Sequence, residues 1–124
     1  MQIMTRHLVR PVHLNHHGCL YAGTLSEWMS EVAAMAMAAQ LGSTSGMVMV
    51  AAKELTISRS IYQGDILELG VEVAHYGTSS ITFTITGRDF FTGQTNCSGS
   101  YVFVAVDEAG NKRPHHLKGD DCDE

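Results

Sequence analysis

TLSEWMSEVAAMAMAAQL, residues 24–41, is the stretch whose reading decides the fold. Leu25, Trp28, Met29, Val32 and Ala36 keep helical spacing, and the breaker GSTSG follows at once, which predicts one helix over about residues 25 to 41. Thr24 followed three positions later by Glu27 makes a capping-box pattern, so Glu27 has a structural role available at the helix start. From Val32 to Ala39 no polar residue remains on any face. A helix that is apolar all round is normally buried all round.

What could bury it lies downstream. In ILELGVEVAHY (66–76), Leu67, Leu69, Val71 and Val73 alternate with Glu68, Gly70 and Glu72, and in ITFTIT (81–86) Ile81, Phe83 and Ile85 alternate with threonines. Period two with one apolar face predicts half-buried strands. YVFVAV (101–106) is apolar on both faces and is expected to lie centrally, while MVMVAAKELTIS (47–58) supplies one more long extended segment. TRHLVRPVH near the N-terminus can also be extended. One helix followed by four antiparallel strands suggests a curved sheet wrapped around that helix, because a sheet with one apolar face must cover something. The expected domain is residues 1–111, and the polar, aperiodic, acidic run 112–124 is expected to be a mobile tail.

Composition narrows the functional classes. The chain has 124 residues, 44% of them apolar, enough for one domain with a core. Thirteen acidic against eight basic residues give a formal charge of −5, and no lysine/arginine cluster offers the footprint of a nucleic-acid binder. The longest apolar run, VAAMAMAA (32–39), is far below the roughly 20 residues of a membrane span. Cys19, Cys97 and Cys122 are odd in number and form no CxxC pair, which points to a reducing, cytoplasmic setting without a disulfide framework.

Three chemistries compete in HLNHHGCLYAGTLSEWMSEVAAM (13–35). A metal site could draw on His13, His16 and His17, with His115 and His116 in the tail. The helical HExxH spacing is missing, however, and adjacent His16 and His17 would diverge if extended, so no metal is expected. Cys19 stands three residues beyond His16, but adjacency in sequence is not the geometry of a catalytic pair, and packing accounts for such a cysteine. Glu31 falls where polar residues stop along the helix, so partial desolvation would suit it to act as a general base. Gly23 falls at the helix N-terminus, where unpaired amides can hold an oxyanion. On this reading base and oxyanion donors would be neighbours; the alternative is a Glu31 on the solvent side of the helix or paired with a lysine or arginine.

Asn15, Gly18, Gly23, Trp28 and Glu31 form the pattern N-x-x-G-x-x-x-x-G followed by W-x-x-E, which resembles the hotdog-fold acyl-CoA thioesterases of the acyl-CoA hydrolase type. YQGDILELGVEVAHYGTSSITF (62–83) is similar to that family's central hairpin, and YVFVAVDEAGNKRP (101–114) to its last strand and polar exit, so the likeness runs from about residue 5 to 114. The resemblance implies an α+β hotdog domain, a long central helix wrapped by a curved antiparallel sheet. It also implies pairing into a dimer, often within a trimer of dimers, with active sites at the dimer interface. Acyl-CoA is the implied substrate, and no metal or redox cofactor is required.

Position by position, the resemblance makes Gly23 the oxyanion amide and Asn15 the loop asparagine that orients a reactant. In many members the acid falls seven residues after that glycine, which is Ser30 here; other members carry a glutamate one residue later, and Glu31 fits those. One step along a helix turns a side chain by about 100°. The expectation is Glu31 as base, contributed across the dimer, with Ser30 nearby to position water or thioester. The coenzyme is expected near Gly77, Thr78, Ser79 and Ser80, with Lys53, Arg59, Arg88, Lys112 and Arg113 as available cations. Two other functions stay open: hydration or dehydration of acyl thioesters, kept alive by His13, His16 and His17, and non-catalytic acyl-CoA binding, motivated by Ser30 at the usual acid position.

Overall fold

Helix α1, Ala22–Leu41, lies on one face of a five-stranded sheet made of β1 (Gln2–Leu8), β2 (Met47–Ile57), β3 (Ile66–Tyr76), β4 (Ser80–Asp89) and β5 (Thr95–Ala105). The computed structural model describes residues 1–117. Strand order is β1-β3-β4-β5-β2 with every neighbour antiparallel. This is the expected α+β layering with one strand added, because the N-terminal segment pairs with β3. β5 is interior, as its two apolar faces require, and it begins six residues before the apolar run at Tyr101.

The helix starts earlier than its capping pattern suggested. Tyr21 is the extended N-cap residue and provides no side-chain cap, so Thr24 already lies inside the helix and the Thr24–Glu27 box does not form. The entry is fixed by the backbone: Leu20 N–H donates to Ile61 O at 2.7 Å and Tyr21 N–H to His13 O at 2.9 Å. A Cβ on Gly23 would be driven into the ring of exposed Tyr21, which would have to swing aside. At the other end Gly42, at φ 80°, adopts the left-handed cap conformation and donates to Ala38 O.

Leu25, Met29, Val32, Ala33 and Met37 are buried against Leu67, Leu69, Ile81, Phe83, Ile85 and Tyr101. Burial is not all round, since one sheet covers only one side of a helix. Glu31, Met35 and Ala39 are exposed within the single chain, as are Val48 and Val50 on edge strand β2.

Two further expectations change. Glu68, on the polar face of β3, is buried because Arg6 and Arg88 stand directly opposite it on β1 and β4. Their Nε atoms donate to its two oxygens at 2.6 and 3.0 Å. The C-terminal segment also docks from residue 112 to 117. Val106 bridges Lys112, Arg113 N–H donates to Ala105 O, and buried His115 donates its backbone N–H to Thr78 O. The rest of the expected tail, 118–124, lies outside the described residues. Among the described residues, no helix is long and apolar enough to cross a membrane.

Candidate active site

The loop before α1 is organised by Asn15. Its Oδ1 accepts the backbone N–H of His17 at 2.9 Å and of Cys19 at 3.3 Å, and its own N–H donates to Cys19 O at 2.8 Å. These bonds close the turn that carries Gly18 at φ 83° and bring Cys19 against Asn15, with Nδ2 donating to Sγ at 3.5 Å. A cavity of about 200 Å³ opens beside this turn, lined by Asn15, Cys19, Ala22, Leu25, Ile57 and Ser60.

Three donors stand at the helix start. The first intrahelical bond comes from Leu25 N–H to Tyr21 O, so the amides of Ala22, Gly23 and Thr24 have no acceptor among the described residues. Unpaired amides and the positive end of the helix dipole suit an anion or a developing oxyanion. Asn15 and Ala22, the residue before Gly23, line the same cavity.

Glu31 is not brought to them in the same chain. Eight residues at 1.5 Å rise separate it from Gly23, about 12 Å along the helix. It is also exposed, where partial desolvation was expected. Ser30 points elsewhere: it is half-buried and lies near enough to the Tyr101 phenol to act on it. Burial raises the Tyr101 pKa above its ordinary value, the neighbouring Cys97 adds to that, and the Ser30 hydroxyl acts the other way.

The environment of Glu31 includes a residue the sequence did not single out. The His7 ring stacks on Trp28 with centroids 4.2 Å apart and planes 12° apart, while His13 meets the same indole edge-on at 4.9 Å. Burial lowers the His7 pKa, Glu31 pulls it upward, and His13 pushes it down. A lone histidine in an extended segment carries no motif; the only available signal was its place on the same side of β1 as Thr5.

Gly77, Thr78, Ser79 and Ser80 form the β3–β4 turn at the far end of the sheet, near the helix C-terminus, where Gln40 donates to Tyr76 Oη. Three of their carbonyls are occupied: Thr78 O by His115 N–H, Ser79 O by Ala105 N–H, and Ser80 O by Gly77 N–H and the His115 ring. The hydroxyls, rather than these carbonyls, remain for a ligand. β3 runs from one end to the other, ten residue steps or roughly 33 Å, so this turn and Asn15 cannot serve one ligand within one chain.

Of the cations, Arg88 is engaged by Glu68 and Arg113 by Val106 O and Pro114 O, while Lys53, Arg59 and Lys112 are exposed. His16 and His17 do not diverge, because the turn brings their rings to 3.9 Å. Among the described residues no three His, Cys, Asp or Glu side chains converge as metal ligands.

Comparison with known proteins gives this geometry a family. The model of the thioesterase superfamily matches residues 17–90, from the Asn15 turn through α1 to the β4–β5 turn. The hexameric thioesterase of Yersinia pestis is 25% identical with a TM-score of 0.82, covering 95% of this chain and 96% of its own. The acyl-CoA hydrolase of Staphylococcus aureus, solved with butyryl-CoA, CoA and CoA disulfide, is 26% identical with a TM-score of 0.82, covering 89% of this chain and 66% of its own. A hexameric hotdog-fold thioesterase of Campylobacter jejuni, 21% identical with a TM-score of 0.75, covers 92% of this chain and 90% of its own and supports the fold alone. No curated protein sequence matches. The match over 17–90 and the helix laid on a five-stranded antiparallel sheet lead to one conclusion: this chain belongs to the thioesterase superfamily and has the hotdog fold.

Proposed function

We propose that the protein hydrolyses acyl-CoA thioesters to CoA and a carboxylic acid. The observation that carries this is the set of unpaired amides at Ala22, Gly23 and Thr24, the first of which lines a cavity together with Asn15. The Gly23 amide receives the thioester oxygen and stabilises the charge that develops on it. Asn15 fixes the loop and orients a reactant. Glu31 takes a proton from water, the resulting oxygen nucleophile attacks the carbonyl carbon, the C–S bond breaks, and the proton passes to the leaving thiolate. Ser30, turned toward Tyr101, takes no direct part in these steps. No cofactor enters the scheme.

The site is completed by a second copy. A base about 12 Å from the Gly23 amide along its own helix serves the thioester held by a partner, and a partner likewise brings its β3–β4 turn, with Gly77, Thr78, Ser79 and Ser80, to the coenzyme. Exposed Val48 and Val50 on edge strand β2, together with exposed Met35, favour a homodimer. Three such dimers would make a hexamer, the state of the Yersinia pestis thioesterase it resembles. The free thiols Cys19 and Cys97 fit a cytoplasmic setting.

A second reading, hydration of enoyl thioesters, is favoured only by the proximity of His7 to Glu31. Thiol release from butyryl-, palmitoyl- and phenylacetyl-CoA tests the first reading. Release with at least one acyl group is expected; none with any of them, together with loss of crotonyl-CoA absorbance, would replace it with the second.

A further inference from the structure

His115 is buried and takes no part in the steps above, yet both of its ring nitrogens are engaged. Leu117 N–H donates to Nδ1 at 2.8 Å, and Nε2 lies 3.0 Å from Ser80 O. An amide N–H can only donate and a carbonyl can only accept, so the two partners fix one form of the ring: Nδ1 bare, Nε2 protonated, and the imidazole neutral. The backbone N–H of His115 also donates to Thr78 O at 3.1 Å, so one residue grips the β3–β4 turn at two carbonyls and its own segment at a third point. His116 follows at φ 59°, a left-handed conformation that a non-glycine residue keeps only where its surroundings hold it. This bend carries Leu117 back to the imidazole, with the Leu117 side chain packed against the core. Around the ring stand Tyr76 of β3, edge-on with centroids 6.4 Å apart and His75 before it in the strand, and on its own segment Arg113 and His116. Residues 77–80 carry no ionisable side chain.

We propose that His115 is a proton-sensitive latch: when neutral, it fastens residues 115–117 over the β3–β4 turn and sets the shape in which Thr78 and Ser79 present their hydroxyls to the coenzyme. A second ring proton has to go on Nδ1, which then no longer accepts the Leu117 N–H. The bend at His116 loses its tie, and the grip on the turn loosens. The coenzyme's part in this rests on the reading that residues 77–80 meet CoA; the latch itself does not.

Hydrogen exchange tests the latch without substrate. Peptides covering 77–80 and 115–117 are followed in the full chain at about pH 8 and about pH 5, the interval across which histidines titrate, with each rate divided by its intrinsic value. In the parent, protection is expected to drop in acid by about five- to tenfold, the worth of one hydrogen bond. In His115→Gln, whose amide can donate to Ser80 O and does not titrate, protection is expected to be independent of pH. In His115→Ala it should be lost at both pH values. Parent protection that does not change, or that changes equally in His115→Gln, overturns the latch, as does full protection in His115→Ala. Thiol-release kinetics test the link to the coenzyme: between the two pH values KM of the parent should rise relative to His115→Gln by a similar factor, while the kcat profiles of the two proteins run parallel. Acid loss of protection with an unchanged KM ratio would remove CoA from this turn, and that clause of the proposal with it. Absence of thiol release with every acyl-CoA would remove the proposed function, and exchange would still decide the latch.

Discussion

Ser30 and Glu31 follow one another in α1 and face different surroundings: Ser30 is half-buried near the Tyr101 phenol, whereas Glu31 is exposed. The turn of about 100° between consecutive helical residues separates them. A hydroxyl turned toward the sheet is a poor base, and a carboxylate on the open side is free to act, as proposed, on a partner's thioester.

Ser30→Ala removes a hydroxyl near the buried Tyr101 phenol. It should cost no more than about 1 kcal/mol of stability, the worth of one hydrogen bond, and leave most of the turnover, as read by denaturant unfolding and thiol release. A loss of activity as large as that of Glu31→Gln would make Ser30 the more important of the two.

Asn15→Ala deletes the acceptor for two loop amides, those of His17 and Cys19. Amide exchange should quicken over residues 16–19 and kcat/KM should fall by about tenfold or more, because a catalytic loop misplaced by about 1 Å can cost a hundredfold. Unchanged exchange in that turn would contradict the account of the loop.

Most of the fold was legible because β3 and β4 alternate strictly and the helix carries a continuous apolar run. The helix start was not. Thr24 and Glu27 satisfy a local capping pattern, but the bonds of Leu20 and Tyr21 to Ile61 and His13 set the entry three residues earlier, and those are tertiary. Glu68 looked solvated because its two arginines come from strands 62 and 20 residues away. In the candidate site, Asn15 and Gly23 were legible as a loop and helix-start pattern. The separation of Glu31 from them was implied only by the family resemblance, since periodicity gives a face but not which copy that face meets.

Glu68 contributes stability that depends on pH. Hydrogen bonds from Arg6 first and Arg88 second hold its pKa below the ordinary carboxylate value. A depressed folded pKa gives stabilisation that is present above the unfolded pKa and lost as pH falls through the folded one. Glu68→Gln should therefore lower Tm at neutral pH and flatten the fall of Tm in acid. Parallel Tm curves for the two proteins below the ordinary glutamate pKa would contradict this.

Cys97 and Cys19 should differ in reactivity. Burial pushes the Cys97 thiol up to about 11, only partly offset by a backbone hydrogen bond from Gly87, and the side chain is 1% exposed. Peptide mapping after brief alkylation of the native protein should find Cys97 unmodified until denaturant is added, and Cys19, half-buried in the loop, labelled first. Labelling of native Cys97 as fast as Cys19 would contradict the packing of β5 against β4.

Turnover of Glu31→Gln, followed as thiol release from the best acyl-CoA substrate, tests the central claim most directly. A general base of this kind accounts for about 10² to 10⁴ in rate, so kcat should fall by that factor while Tm and oligomeric state stay as in the parent protein. Turnover within twofold of the parent would contradict the account, because it would leave the reaction without its base.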